Sequence, residues 1–130
     1  MRRIDPSAGI APVGIQACER VLCRVADIPE DGARGFAAAP GGFTGLFAVR
    51  KAGRVFVYVN ACPHIGLPLE AMPDRFLDHR RQLVVCAVHG ARFRIEDGMC
   101  LSGPCIGEAL EPVAARIVDG QVVVSADAGL

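Results

Sequence analysis

Fifteen glycines and nine prolines are scattered through 130 residues, and they cut the chain into pieces too short for stable helix. A glycine costs about 1 kcal/mol and a proline about 3 kcal/mol in a helix interior. No segment of ten or more residues keeps a 3.6-residue apolar period. What survives between the breakers has strand chemistry. Val21, Cys23 and Val25 alternate with Arg20, Leu22 and Arg24, and "VFVYV" at 55–59 is β-branched and aromatic throughout. Turn residues separate these runs: "KAGR" at 51–54, "EDG" at 96–98, and Asp119-Gly120 between "RIV" and "QVVV", a two-residue hairpin signal. The expectation is an all-β domain, a small antiparallel sandwich or barrel.

A chain of 130 residues that is 52% apolar can bury one core without disulfide staples. Residues 17–126 are expected to form it, with the Ala/Gly/Pro-rich residues 1–16 a flexible tail and the closing "ADAGL" similar to them. "PGGFTG" at 40–45 precedes a strand rather than a helix and reads as a turn, not a phosphate loop. The fourteen basic residues, with Lys51 the only lysine, balance fourteen acidic ones and form no stripe, which argues against a nucleic-acid partner. Asp5, Pro6, Ser7, Gly9, Pro12 and Gly14 interrupt any signal-peptide apolar region. No apolar run approaches the roughly 20 residues that span a bilayer. A soluble, cytoplasmic protein with no membrane partner is therefore expected.

Six cysteines in such a compartment are not a disulfide framework, because cytosolic reductants keep thiols reduced; metal ligation is the leading explanation for some of them. Cys62 and His64 lie one residue apart in "CPHIGLPLEA", a stretch too broken by Pro63, Gly66 and Pro68 to be helical. Cys86 and His89 form a Cys-x-x-His pair in "CAVHGARF", at the end of the apolar strand "LVVCAV". The 21 residues between His64 and Cys86 suffice for a strand and its return, so the two loops can meet at one end of a β domain.

This arrangement resembles the Rieske family, whose pattern is Cys-x-His, a variable spacer, then Cys-x-x-His-Gly. The resemblance continues through "GARF", "DGMCLSGP" and the "DGQVVV" hairpin, covering most of residues 45–125. It implies a 2Fe-2S cluster in which Cys62 and Cys86 hold one iron and His64 and His89 the other. It also implies that "SGPC" at 102–105 packs over the cluster. Gly66 and Gly90 would relax the backbone beside the ligands. The chemical rival is a zinc-stabilised binding module without a redox role, since Cys2His2 is also a zinc set.

High-potential Rieske proteins carry a disulfide between the two loops and hydroxyl donors to the cluster. Here Leu67 and Val88 stand at the disulfide positions, with Ala91 and Phe93 at those of the serine and tyrosine. Fewer donors to sulfur imply a potential near the low end, roughly −150 mV. The chain is thus similar to soluble Rieske-type ferredoxins. These are electron carriers, not enzymes, between a flavin-dependent reductase and a ring-hydroxylating terminal oxygenase. The alternative is the small subunit of a nitrite reductase-like enzyme, with the large subunit as partner. With three histidines and two assigned to the cluster, only His79 remains; a complete oxygenase would need two more and a carboxylate for its mononuclear iron. Ile65, Leu67, Pro68 and Ala91 are expected to give the cluster tip an apolar rim, and Arg92 to tune partner charge. Cys18 and Cys23 should point to opposite faces of a strand. Cys100 and Cys105 flank a turn and receive no redox role, and His79 is read as a solvated loop residue.

Overall fold

The computed structural model describes residues 18–38, 44–63 and 66–128. The tail expected over residues 1–16, most of the 40–45 turn, and His64 and Ile65 lie outside the described residues. Ten strands follow in order: β1 (Glu19–Arg24), β2 (Gly32–Phe36), β3 (Leu46–Lys51), β4 (Arg54–Val59), β5 (Leu83–Val85), β6 (Arg92–Arg94), β7 (Cys100–Ser102), β8 (Pro112–Val113), β9 (Ala115–Val118) and β10 (Gln121–Ser125). They pair antiparallel in three small sheets, β1-β10-β9, β2-β3-β4-β8 and β5-β6-β7. One 3-10 turn at Val25–Asp27 is the sole helical element among the described residues. The all-β expectation holds. No helix among the described residues is long and apolar enough to cross a membrane.

Strand β3 is the common wall of two cores. Leu46 and Ala48 face one that includes Cys23, Ile28, Val57, Val122 and Val124. Phe47 and Val49 face the other, which runs through Tyr58, Leu69, Phe76, Phe93, Ile95 and Leu110. Successive strand side chains point to opposite faces, so a run that is apolar at four consecutive positions can serve both cores at once. Phe47 stacks on Phe76, with ring centroids 4.5 Å apart and 6° between planes.

The hairpins form where turn chemistry placed them. Ala52 and Gly53 (φ +53° and +75°) close β3 onto β4, and Asp119 and Gly120 (φ +49° and +76°) close β9 onto β10. Positive φ at both central residues matches the twist of the paired strands.

Elsewhere the structure departs from simple period-two reading. A bulge between Val21 and Cys23 breaks the β1 alternation, leaving Val21 41% exposed while Leu22 packs on the core. Cys18 is exposed and Cys23 buried. The "LVVCAV" strand stops at Val85, because the Cys86 backbone bonds within its own loop instead of to a neighbouring strand. The spacer holds a short strand and return at its far end: Leu77 bridges Val84, the Asp78 amide donates to Leu83 O at 2.9 Å and the Val85 amide to Phe76 O at 2.8 Å, and β5 pairs onward with β6. The rest of it is held by burying Leu69 and Phe76. At the other end, residues 126–128, grouped with a tail on sequence, form a turn whose Ala128 packs on the core.

Candidate functional site

Two loops of equal construction face each other. In the first, the Cys62 amide donates to Leu67 O at 2.8 Å and the Gly66 amide to Cys62 O at 2.7 Å. In the second, the Cys86 amide donates to Ala91 O at 2.9 Å and the Gly90 amide to Cys86 O at 2.9 Å. Each loop therefore closes on itself over six residues with glycine at the fifth, at φ +74° and +72°. A side chain at either position would be strained by this left-handed backbone, which is the local reason for Gly66 and Gly90.

The loops converge on a pair of thiols. Cys62 and Cys86 are 3% and 1% exposed, and the two thiols lie close enough to interact. The Val88 and His89 amides point at the Cys86 sulfur, though burial dominates and pushes this thiol up. Free thiols resist ionising in such a place, whereas metal-bound sulfur is stabilised there by the two amides. His89 is exposed at the loop tip; His64 lies outside the described residues. Among the described residues no three His, Cys, Asp or Glu side chains gather as ligands of a single ion. The buried thiol pair suits one iron of a two-iron cluster, in which imidazoles belong to the other.

The scaffold around the loops fixes their approach. The Ala87 amide donates to Leu69 O at 2.8 Å and ties one loop to the other. Asn60, 8% exposed, accepts from the Leu69 amide at 2.9 Å and donates to Glu70 Oε1 at 2.9 Å, while its own amide donates to Gly45 O. Sequence reading missed Asn60; its place two residues before Cys62 was the only available hint, since its partners are nine and ten residues away.

The "SGPC" segment lies over the second loop. A Cβ on Gly103 would stand 2.7 Å from Ala91 Cα, so the backbones touch. That contact corrects one expectation: Ala91 is 1% exposed and is covered, not part of an apolar rim. Of the other expected rim residues, Leu67 is 53% exposed and Pro68 is exposed, while Ile65 lies outside the described residues; Val88 in the second loop is 46% exposed. Arg92 pairs with Asp78 at 3.7 Å while remaining half exposed. His79 is exposed, as expected. Cys100 and Cys105 are both buried, and Cys105 lies near Cys62.

Comparison with known proteins agrees with this geometry. The Rieske [2Fe-2S] domain model matches residues 18–125. No curated protein sequence matches the chain. Among solved structures, a Sphingomonas yanoikuyae B1 ferredoxin is similar at 26% identity and TM-score 0.64, covering 82% of this chain and 97% of that one. The ferredoxin of carbazole 1,9a-dioxygenase from Nocardioides aromaticivorans IC177 is similar in fold at 16% identity and TM-score 0.66, covering 84% and 98%. So is a chain from the complex of reduced oxygenase and oxidised ferredoxin in carbazole 1,9a-dioxygenase, at 22% identity and TM-score 0.69, covering 88% and 99%. With a family match across most of its length and two self-closed Cys/His loops meeting at buried thiols, the chain belongs to the Rieske [2Fe-2S] domain family.

Proposed function

We propose that this chain is a one-electron carrier that takes electrons from a flavin-dependent reductase and delivers them to a terminal oxygenase in the cytoplasm. Cys62 and Cys86 hold one iron of the 2Fe-2S cluster and His64 and His89 the other. The observation that carries this reading is the meeting of the two buried thiols at the mouths of equivalent loops. The similarity to ferredoxins, one of them in a structure with its oxygenase, supports the choice of partners.

When bound, such a cluster accepts and returns a single electron. The residues of this chain do the rest. Ala91, Phe93 and Leu69 keep water from the thiol end, all being at most 1% exposed. The Val88 and His89 amides favour negative charge on the Cys86 sulfur. Neither Ala91 nor Phe93 supplies a hydroxyl, which keeps the potential toward the low end, roughly −150 mV. Leu67, Pro68 and Val88 are exposed apolar residues of the segments that carry the ligands, suited to a transient partner at the small end of interface sizes.

The test is voltammetry of the purified protein together with iron and acid-labile sulfide analysis. A reversible low-potential wave that disappears in Cys62→Ala and Cys86→Ala is expected. Zinc in place of iron, with no wave, would end the electron-carrier reading. For the docking face, Arg92→Glu is expected to change the rate of electron exchange with the reductase or oxygenase and its dependence on salt. An unchanged rate at every ionic strength would remove Arg92 from that face.

A further inference from the structure

Cys100 and Cys105 were left without a role by the sequence, yet their sulfurs stand 3.1 Å apart, both side chains buried. A disulfide bond is about 2.05 Å long, so closing it asks for roughly 1 Å of movement. Cys100 ends its approach against Ser102 O, 3.3 Å from its sulfur. Cys105 is the one buried residue in the exposed run 101–109, so a single sulfur pins this loop to the body. Gly103 and Gly107 flank it at φ +102° and +94°, and the Glu108 amide closes a turn onto Cys105 O at 2.9 Å. The loop thus has a pivot on each side of the sulfur that would move. Cys105 lies near Cys62 in the same buried cluster, and Gly103 touches Ala91. The segment that carries Cys105 therefore reaches both cluster-binding loops.

We propose that Cys100 and Cys105 form a reversible dithiol–disulfide site, oxidised by low-molecular-weight disulfides, whose state is felt by Cys62 through Cys105. One of the two cysteines, as thiolate, attacks a sulfur of the small disulfide, breaks its S–S bond and expels one thiolate. The other cysteine, as thiolate, attacks the mixed disulfide, forms the Cys100–Cys105 bond and expels the second. Two electrons pass to the small disulfide, and the two cysteine protons end on the released thiols. The dithiol keeps an S–H on Cys105, near Cys62 and donated to the Cys100 sulfur; the disulfide has none. Polar groups around a ligating sulfur help set the potential of an iron-sulfur centre, and losing this S–H removes one that favours the reduced state, so oxidation of the pair lowers it. This second step rests on Cys62 being a cluster ligand, whereas the disulfide itself does not.

The experiment equilibrates the cluster-loaded chain anaerobically in buffers of varied oxidised to reduced glutathione. Free thiols are then alkylated for mass spectrometry, and the cluster midpoint is measured on the same samples. The expected result is joint loss and recovery of the Cys100 and Cys105 thiols, a peptide linked between them, and a midpoint that falls on oxidation and recovers on reduction. In Cys100→Ser and in Cys105→Ala the midpoint is expected to stay constant across the series. Both thiols alkylated at every ratio, or a lasting glutathione adduct with no internal bond, would overturn the site. A disulfide that leaves the midpoint unmoved would overturn its link to Cys62. Absence of iron from the purified chain would count against the electron-carrier reading alone, because the alkylation result does not depend on the cluster.

Discussion

Tyr58 shows how much one side chain can contribute when burial and partner agree. It is 2% exposed and donates to Ile95 O at 2.6 Å. Burial first, then the nearby carboxylates of Asp97 and Glu96, push its pKa up from 10.0 to about 12. The fold therefore prefers the neutral phenol. Its contribution is complete below the unfolded pKa near 10 and is lost as pH rises through about 12. Urea midpoints followed by circular dichroism should fall more steeply between those values for the wild type than for Tyr58→Phe. Below pH 10 the same substitution should cost about 1–3 kcal/mol, because Ile95 O loses its buried donor. At this scale the sequence was informative only where a motif spoke for it. Cys62 and Cys86 could be chosen from spacing, but the closeness of Cys105 to Cys62 joins residues far apart in the chain, and no local pattern encodes it.

The elements that matter most are the loops and what holds them. Asn60 binds the chain on both sides of the first loop, through Gly45 behind it and Leu69 and Glu70 beyond it. Asn60→Ala should cost about 1–3 kcal/mol by leaving the buried Leu69 amide without its acceptor. It should also speed hydrogen exchange at Leu69 selectively, and unchanged exchange there would show that the loop is held by other means. Hairpins were legible because positive φ has few chemical solutions, as Asp119-Gly120 illustrates. The β1 bulge and the early stop of β5 were not, since an extra residue or a backbone that bonds to itself leaves no mark in hydrophobic alternation.

Across the whole molecule, β3 couples the three sheets. Its apolar run could be recognised as buried strand, but only the fold shows that it divides two cores. Phe47→Ala should cost about 3–5 kcal/mol, measured by urea unfolding. Because Phe47 stacks on Phe76 beneath the spacer, the variant should also lose iron faster on mild heating than the wild type. If iron loss is unaltered, the spacer is anchored independently of this stack. The self-closure of the two cysteine loops has a wider consequence. Each is a clip fastened by its own main chain, and the excursion between them carries Met72, Arg75 and Arg80 on its exposed surface. Residues added to or removed from that excursion need not open either clip. The surface of that excursion can therefore drift in evolution, or be redesigned, on a length of chain separate from the two clips.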